Sequence, residues 1–192
     1  MLERLIAEYH ELLKSDEALT PEFLSGLREQ MRARRLTYGE RPVGVSLRPH
    51  FLSAAQYGAL AHASERLASA FEKVTAALVA DPALIEEVGL TDAERRLALV
   101  EPRLASAYVN TRLDAFVHGD VIKFVEYNAE NPSSLVDQSG LNDVLSRVGA
   151  LGDVSARYRL RAFDPAERLL DSLLASWREW GGRSEAPRVA IV

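Results

Sequence analysis

Cysteine is missing from these 192 residues, which excludes disulfides, thiolate metal sites and a cysteine nucleophile together. Histidine occurs four times, too scattered to share a metal. No Gly-rich phosphate loop and no Gly-x-Ser-x-Gly elbow is present. No run of about 18 apolar residues occurs, and the opening MLERLIAEYHELL is acidic and amphipathic rather than a basic stretch followed by an apolar block. Neither a membrane span nor a secretory leader is therefore expected. A formal net charge of −5 gives no electrostatic ground for nucleic acid or an anionic membrane as partner. The expectation is a soluble, cytoplasmic protein, and nothing in the sequence sets its oligomeric state.

What is present reads as predominantly helical. Leu2, Leu5, Ile6, Tyr9, Leu12 and Leu13 recur at helical spacing and predict an amphipathic first helix. Thr20 followed by Pro21 is an N-cap with proline at the first helical position, opening a second helix through Phe23, Leu24, Leu27 and Met31. Its basic tail, Arg32 to Arg35, complements the helix dipole. Val43 to Leu47 has the β-branched content of a strand. From Ser53 a long helix is predicted to run toward Ala80 with Tyr57, Leu60, Leu67, Phe71, Val74 and Leu78 along one side, leaving His62 off the stripe. Asp81-Pro82 and the pair Thr91 and Glu94 mark two short helices, and Asp164-Pro165 opens a last one through Leu170, Leu173 and Trp177, closed by Gly181.

The stretch RLDAFVHGDVIKFVEYNAENPSSL, Arg112 to Leu135, differs in kind. Arg112 to Val117 and Val121 to Asn128 alternate with period two and are rich in Val, Ile, Phe and Tyr, which predicts a β-hairpin. Strict alternation puts Arg112, Asp114 and Phe116 on one face of the first strand. On the second it puts Ile122, Phe124, Glu126 and Asn128 together, with Lys123 and Tyr127 opposite. A two-residue Gly119-Asp120 turn would place Asp114 and Glu126 on opposite faces. A three-residue loop pairing Val117 with Val121 places them on the same one, and this longer connection is the expectation. Arg112 then opposes Glu126 and Asp114 opposes Phe124, with directly opposed side chains about 5 Å apart. Asp114, Glu126 and Asn128 would converge as an all-oxygen set suited to Mg²⁺, which leaves Arg112 for a phosphoryl group. The alternative is a solvated strand face on which Arg112 and Glu126 form an ordinary cross-strand ion pair. Beyond the hairpin, Ser133 or Ser134 would cap a helix reaching Val148, or hydrogen-bond a substrate.

This stretch resembles the glutathionylspermidine synthase family and its relatives, the circularly permuted ATP-grasp proteins. The likeness lies in Arg112-x-Asp114, Gly119 in the turn, Lys123, Glu126-Tyr127-Asn128-Ala129, Glu130, Pro132 and Ser133-Ser134-Leu135. It covers about two dozen residues closely, the remaining helices loosely, and departs at Glu130 and Asn131, where that synthase carries Asp and Thr. The resemblance implies Asp114, Glu126 and Asn128 as ligands of a magnesium bridging the ATP phosphates, and Arg112 as the residue holding the transferring phosphate. It also implies Glu130, Ser133 and Ser134 as candidate substrate contacts, and small-molecule or peptide carboxylate and amine substrates.

The expected fold is α+β, helices packed around a small antiparallel sheet built on the hairpin at 110–128, as part of a permuted ATP-grasp fold. Residues 1–182 read as a helical domain carrying the metal strands, and 187–192, within APRVAIV, read as the opening strand of a following domain. The functional expectation is an N-terminal part of an ATP- and Mg²⁺-dependent ligase that is inactive alone. The alternative is a non-catalytic helical interaction domain.

Overall fold

The computed structural model describes residues 1–44, 46–129 and 134–190. Among them are eight helices and two antiparallel sheets of two strands each, an α+β fold dominated by helix. The chain divides into two compact units, Met1–Ala54 with Ser133–Arg168, and Ala55–Pro132 with Leu169–Val192.

The first unit holds most of the fully buried side chains. Helix α1 (Leu2–Ser15) turns Leu5 and Tyr9 inward. Helix α2 (Pro21–Ala33) starts where Thr20 Oγ1 accepts from Phe23 N at 3.2 Å, as the Thr-Pro signal predicts, and buries Leu27 and Met31. Helices α6 (Asp137–Leu145) and α7 (Gly149–Arg157) complete the core with Val144, Leu145, Ala150 and Val154. Tyr9 is fully buried, its hydroxyl donates to Leu47 O at 2.8 Å, and burial pushes its phenol up to about 12. Glu8, one residue earlier, accepts from the Tyr158 hydroxyl at 2.8 Å and pairs with Arg157, which ties α1 to the end of α7.

Two expectations for this unit are corrected. The strand expected over 43–47 is not formed at 43, 44, 46 and 47, and Val45 lies outside the described residues. Strand pairing falls earlier, between β1 (Thr37–Tyr38) and β2 (Arg41–Pro42), with Gly39 at φ +60° in the turn. A Cβ on Gly44 would lie 2.8 Å from Leu141 Cδ2 and 3.0 Å from Met31 Cε, so this backbone is pressed against helix side chains instead of pairing with a strand. Nor does Ser134 cap a helix. It sits at φ +68° in a turn, α6 begins three residues later behind Val136, and no side-chain cap is made there. Gly140 within α6 faces Leu36, whose Cδ2 lies 3.0 Å from where a Cβ would be; the close approach explains a glycine that helix propensity disfavours.

The second unit contains α3 (Ala54–Ala80, counted from Ala55), α4 (Pro82–Glu87), α5 (Asp92–Ala98), the hairpin strands β3 (Arg112–His118) and β4 (Val121–Asn128), and α8 (Pro165–Glu179) from Leu169 onward. Asp81 caps α4 and Thr91 with Glu94 forms the predicted capping box on α5. Gly181 at φ +102° ends α8, and Gly182 is packed so tightly on Trp177 that a Cβ there would lie 2.0 Å from the indole ring. His62 is exposed, as its place off the helical stripe predicts. The strand expected over 187–192 is absent at 187–190, and residues 191 and 192 lie outside the described residues.

Helix α3 lies along the hairpin. Gln56 Nε2 donates to the Gly119 carbonyl at 2.9 Å, and Phe71 stacks on Tyr127 with ring centroids 4.1 Å apart. From Gln56 to Phe71 the helix rises about 22 Å, and from Gly119 to Tyr127 the strand advances about 26 Å. The two contacts therefore hold helix and strand side by side over nearly the whole hairpin. Tyr108 meets Tyr127 edge-on at 5.7 Å and bonds Thr75 through its hydroxyl, and Ser106 bonds Glu72, so the segment before β3 is fastened to the same helix. One face of the hairpin is thereby covered and the other left open.

Candidate functional site

His118 pairs with Val121, Val117 with Ile122, Phe116 with Lys123 and Ala115 with Phe124. The connection is thus the two-residue Gly119-Asp120 turn and not the expected three-residue loop. Gly119 has φ +59° at the first central position, which is where a type II′ turn takes glycine. On that register Asp114 would face Val125, but the ladder shifts between Asp114 and Ala115 and pairs Asp114 with Glu126, Leu113 with Tyr127 and Arg112 with Asn128. Val125 is an extra residue in β4, a β-bulge, and it turns the rest of the strand over.

The bulge makes the two faces chemically coherent. Leu113, Ala115, Val117, Ile122, Phe124 and Tyr127 form one face, all partly buried and including the ring that meets Phe71. Burial raises the Tyr127 phenol above its ordinary value. The other face carries Arg112, Asp114, Glu126 and Asn128, together with Phe116, His118, Val121 and Lys123. Phe116 is 70% and Val121 54% exposed, so this face is open. Lys123 is on the acid face and Phe124 on the covered one, the reverse of what strict alternation predicts. The signal for the bulge is in the sequence: Ile122, Phe124 and Tyr127 are the apolar residues to be covered, and the step from Phe124 to Tyr127 is three residues, not two.

On the open face the four side chains named by the resemblance are in contact. Arg112 Nε donates to Asp114 Oδ1 at 2.9 Å, both side chains being about a third exposed. The guanidinium is thus paired with Asp114, and across the strands it stands opposite Asn128, not Glu126 as expected. The two ends of the Asn128 amide lie 3.0 Å from Glu126 Oε1 and 3.2 Å from Arg112 Nη2. In one orientation Nδ2 donates to Glu126 and Oδ1 accepts from Arg112. Turned over, Nδ2 would reach the Arg112 carbonyl at 3.4 Å but would also set donor against donor at Arg112 Nη2 and acceptor against acceptor at Glu126.

The first orientation satisfies both ends of the amide, so the 3.0 Å contact is a hydrogen bond from Asn128 to the Glu126 carboxylate. The donor set of two carboxylates and one amide, hard oxygens without nitrogen or sulfur, suits Mg²⁺. Among the described residues no three His, Cys, Asp or Glu side chains converge to hold a metal, so any cation here relies on the Asn128 oxygen as third ligand. Of the expected substrate contacts, Glu130 and Ser133 lie outside the described residues, and Ser134 is in the turn before α6, in the other unit.

Two other concavities are shallow. One, about 440 Å³, is lined by Asp16, Glu17 and Asp153 around the start of α7; the other, about 230 Å³, lies between Ser106, Tyr108 and the α8 residues Ser172, Ser176 and Glu179. Among the described residues no helix is long and apolar enough to cross a membrane. No known protein family, no curated protein and no solved structure matches the chain.

Proposed function

We propose that the open face of the hairpin is the magnesium and phosphate site of an ATP-grasp-like carboxylate–amine ligase acting in the cytoplasm. The observation that carries this reading is the gathering of Asp114, Glu126 and Asn128 on one open face of the hairpin, Asp114 directly across from Glu126 and Arg112 across from Asn128. The resemblance to the permuted ATP-grasp proteins supports it from the sequence side, because the four residues named there are the four in contact. Asp114, Glu126 and Asn128 would hold Mg²⁺, whose chemistry is to neutralise and orient the ATP phosphates. Arg112 is kept in the plane of the site by Asp114 and Asn128, where a guanidinium meets phosphoryl oxygens with paired donors.

In such a ligase a substrate carboxylate oxygen attacks the terminal phosphorus of ATP and ADP leaves, giving an acyl phosphate. An amine then attacks the acyl carbon, phosphate departs, and the amine proton is released to a base. The protein's share is positioning and charge stabilisation. A second reading, a helical interaction module, draws on Leu97, Leu99 and Val100, which are 73%, 52% and 63% exposed around the end of α5.

Manganese in place of magnesium separates the two. Bound Mn²⁺ is expected to broaden the NMR signals of residues 112–114 and 126–128 selectively, with excess Mg²⁺ restoring them. Uniform or absent broadening would remove the metal site and leave the interaction module.

A further inference from the structure

We propose that Lys123 receives the phosphate charge of a polyphosphate or nucleoside polyphosphate bound on the hairpin's open face as its magnesium complex; this deepens the reading above and rests on it. Strict alternation hides Lys123 on the opposite face. The Val125 bulge reverses this: Lys123 pairs with Phe116, and Phe116 is the next residue on the same face after Asp114. Along the open face the rows run Arg112 with Asn128, then Asp114 with Glu126, then Phe116 with Lys123. Successive rows are about 7 Å apart, so a cation lies on either side of the acid pair, each within a side chain's reach of its centre.

The two cations are not equivalent. Arg112 is engaged by Asp114 Oδ1 at 2.9 Å and stands by the Asn128 amide. Lys123 is exposed and forms no ion pair among the described residues. A triphosphate keeps negative charge after one divalent cation has bound, and that remainder calls for a positive group which the acids do not already hold. An ammonium with three rotatable donors on a flexible stem follows phosphate oxygens as a point charge, where the tethered guanidinium offers a fixed plane. On this arrangement Arg112 frames the site and Lys123 confers preference for the polyphosphate over the bare cation.

The test is calorimetric titration of the whole chain with Mg²⁺ alone and with magnesium tripolyphosphate, on wild type, Lys123→Gln and Lys123→Arg. An exposed position lets both variants fold. Lys123→Gln is expected to weaken magnesium tripolyphosphate about tenfold, Lys123→Arg about threefold or less, and neither to weaken Mg²⁺ alone. Unchanged tripolyphosphate binding in Lys123→Gln overturns the role of Lys123 and leaves the metal site standing. An equal loss for Mg²⁺ alone also overturns it, by showing a general disturbance. A wild type that binds neither probe overturns the metal-site reading itself.

Discussion

Asp114 stands directly across from Glu126, and it does so only because Val125 is an extra residue in β4. A two-residue turn by itself would have turned Glu126 toward α3 and Tyr127 out to solvent. The bulge lets a short turn, an aromatic contact with Phe71 and a convergent set of acids exist in one hairpin. Bulges recur beside active sites because they re-aim single side chains.

The turn that starts this register is testable. Gly119 has φ +59° and no atom within 4 Å of where a Cβ would lie, so the cost of a side chain there is backbone strain alone. Gly119→Ala should destabilise the chain by about 1 to 2 kcal/mol, and Gly119→Asn by less, since asparagine tolerates positive φ. Urea midpoints for the two variants give the comparison, and equal losses would point to a different turn.

Phe71 and Tyr127 hold the covered face to α3. Tyr127→Ala should cost about 3 kcal/mol, toward the lower end for aromatic truncation because the ring is only partly buried. A double-mutant cycle with Phe71→Ala should return a coupling of about 1 kcal/mol. Additive losses would mean that the rings do not stack in solution.

In the first unit, hydrogen bonding from Tyr158, with Arg157 beside it, holds the Glu8 carboxyl below its ordinary value. A depressed carboxyl contributes stability above its unfolded value and loses it as pH falls through the folded one. Glu8→Gln should therefore melt below wild type at neutral pH, and the gap should close as the medium is acidified past the lowered value. A gap independent of pH would place the contribution in packing instead of charge.

How much of this is legible in the sequence depends on which force sets each element. Helix ends at Thr20, Asp81, Thr91 and Asp164 follow from local capping chemistry and fall where the residues say. The segment over 43–47 departs from its strand-like composition because the chain there is packed on Met31 and Leu141, a tertiary demand that propensity does not carry. Helix α7 has no strong start signal: its N-cap position is Val148, without a capping side chain. For the hairpin, the expected convergence of Asp114, Glu126 and Asn128 on one face is what the structure has, but by a bulge and not by a longer loop. The same bulge moves Lys123 across, and it is readable only in the three-residue step from Phe124 to Tyr127.

The central claim is that Asp114, Glu126 and Asn128 hold magnesium, and melting curves of wild type and Glu126→Gln, with and without magnesium and ATP, test it most directly. Because Arg112 pairs with Asp114, Glu126→Gln leaves that ion pair in place and its amide oxygen can still accept from Asn128. Without metal the variant should lie within about 0.5 kcal/mol of wild type. Wild type should melt higher with magnesium and ATP together, as ligand linkage requires, and the variant should not. A wild type indifferent to both, with a variant that melts lower in their absence, would contradict the account and make Glu126 a structural residue of the hairpin.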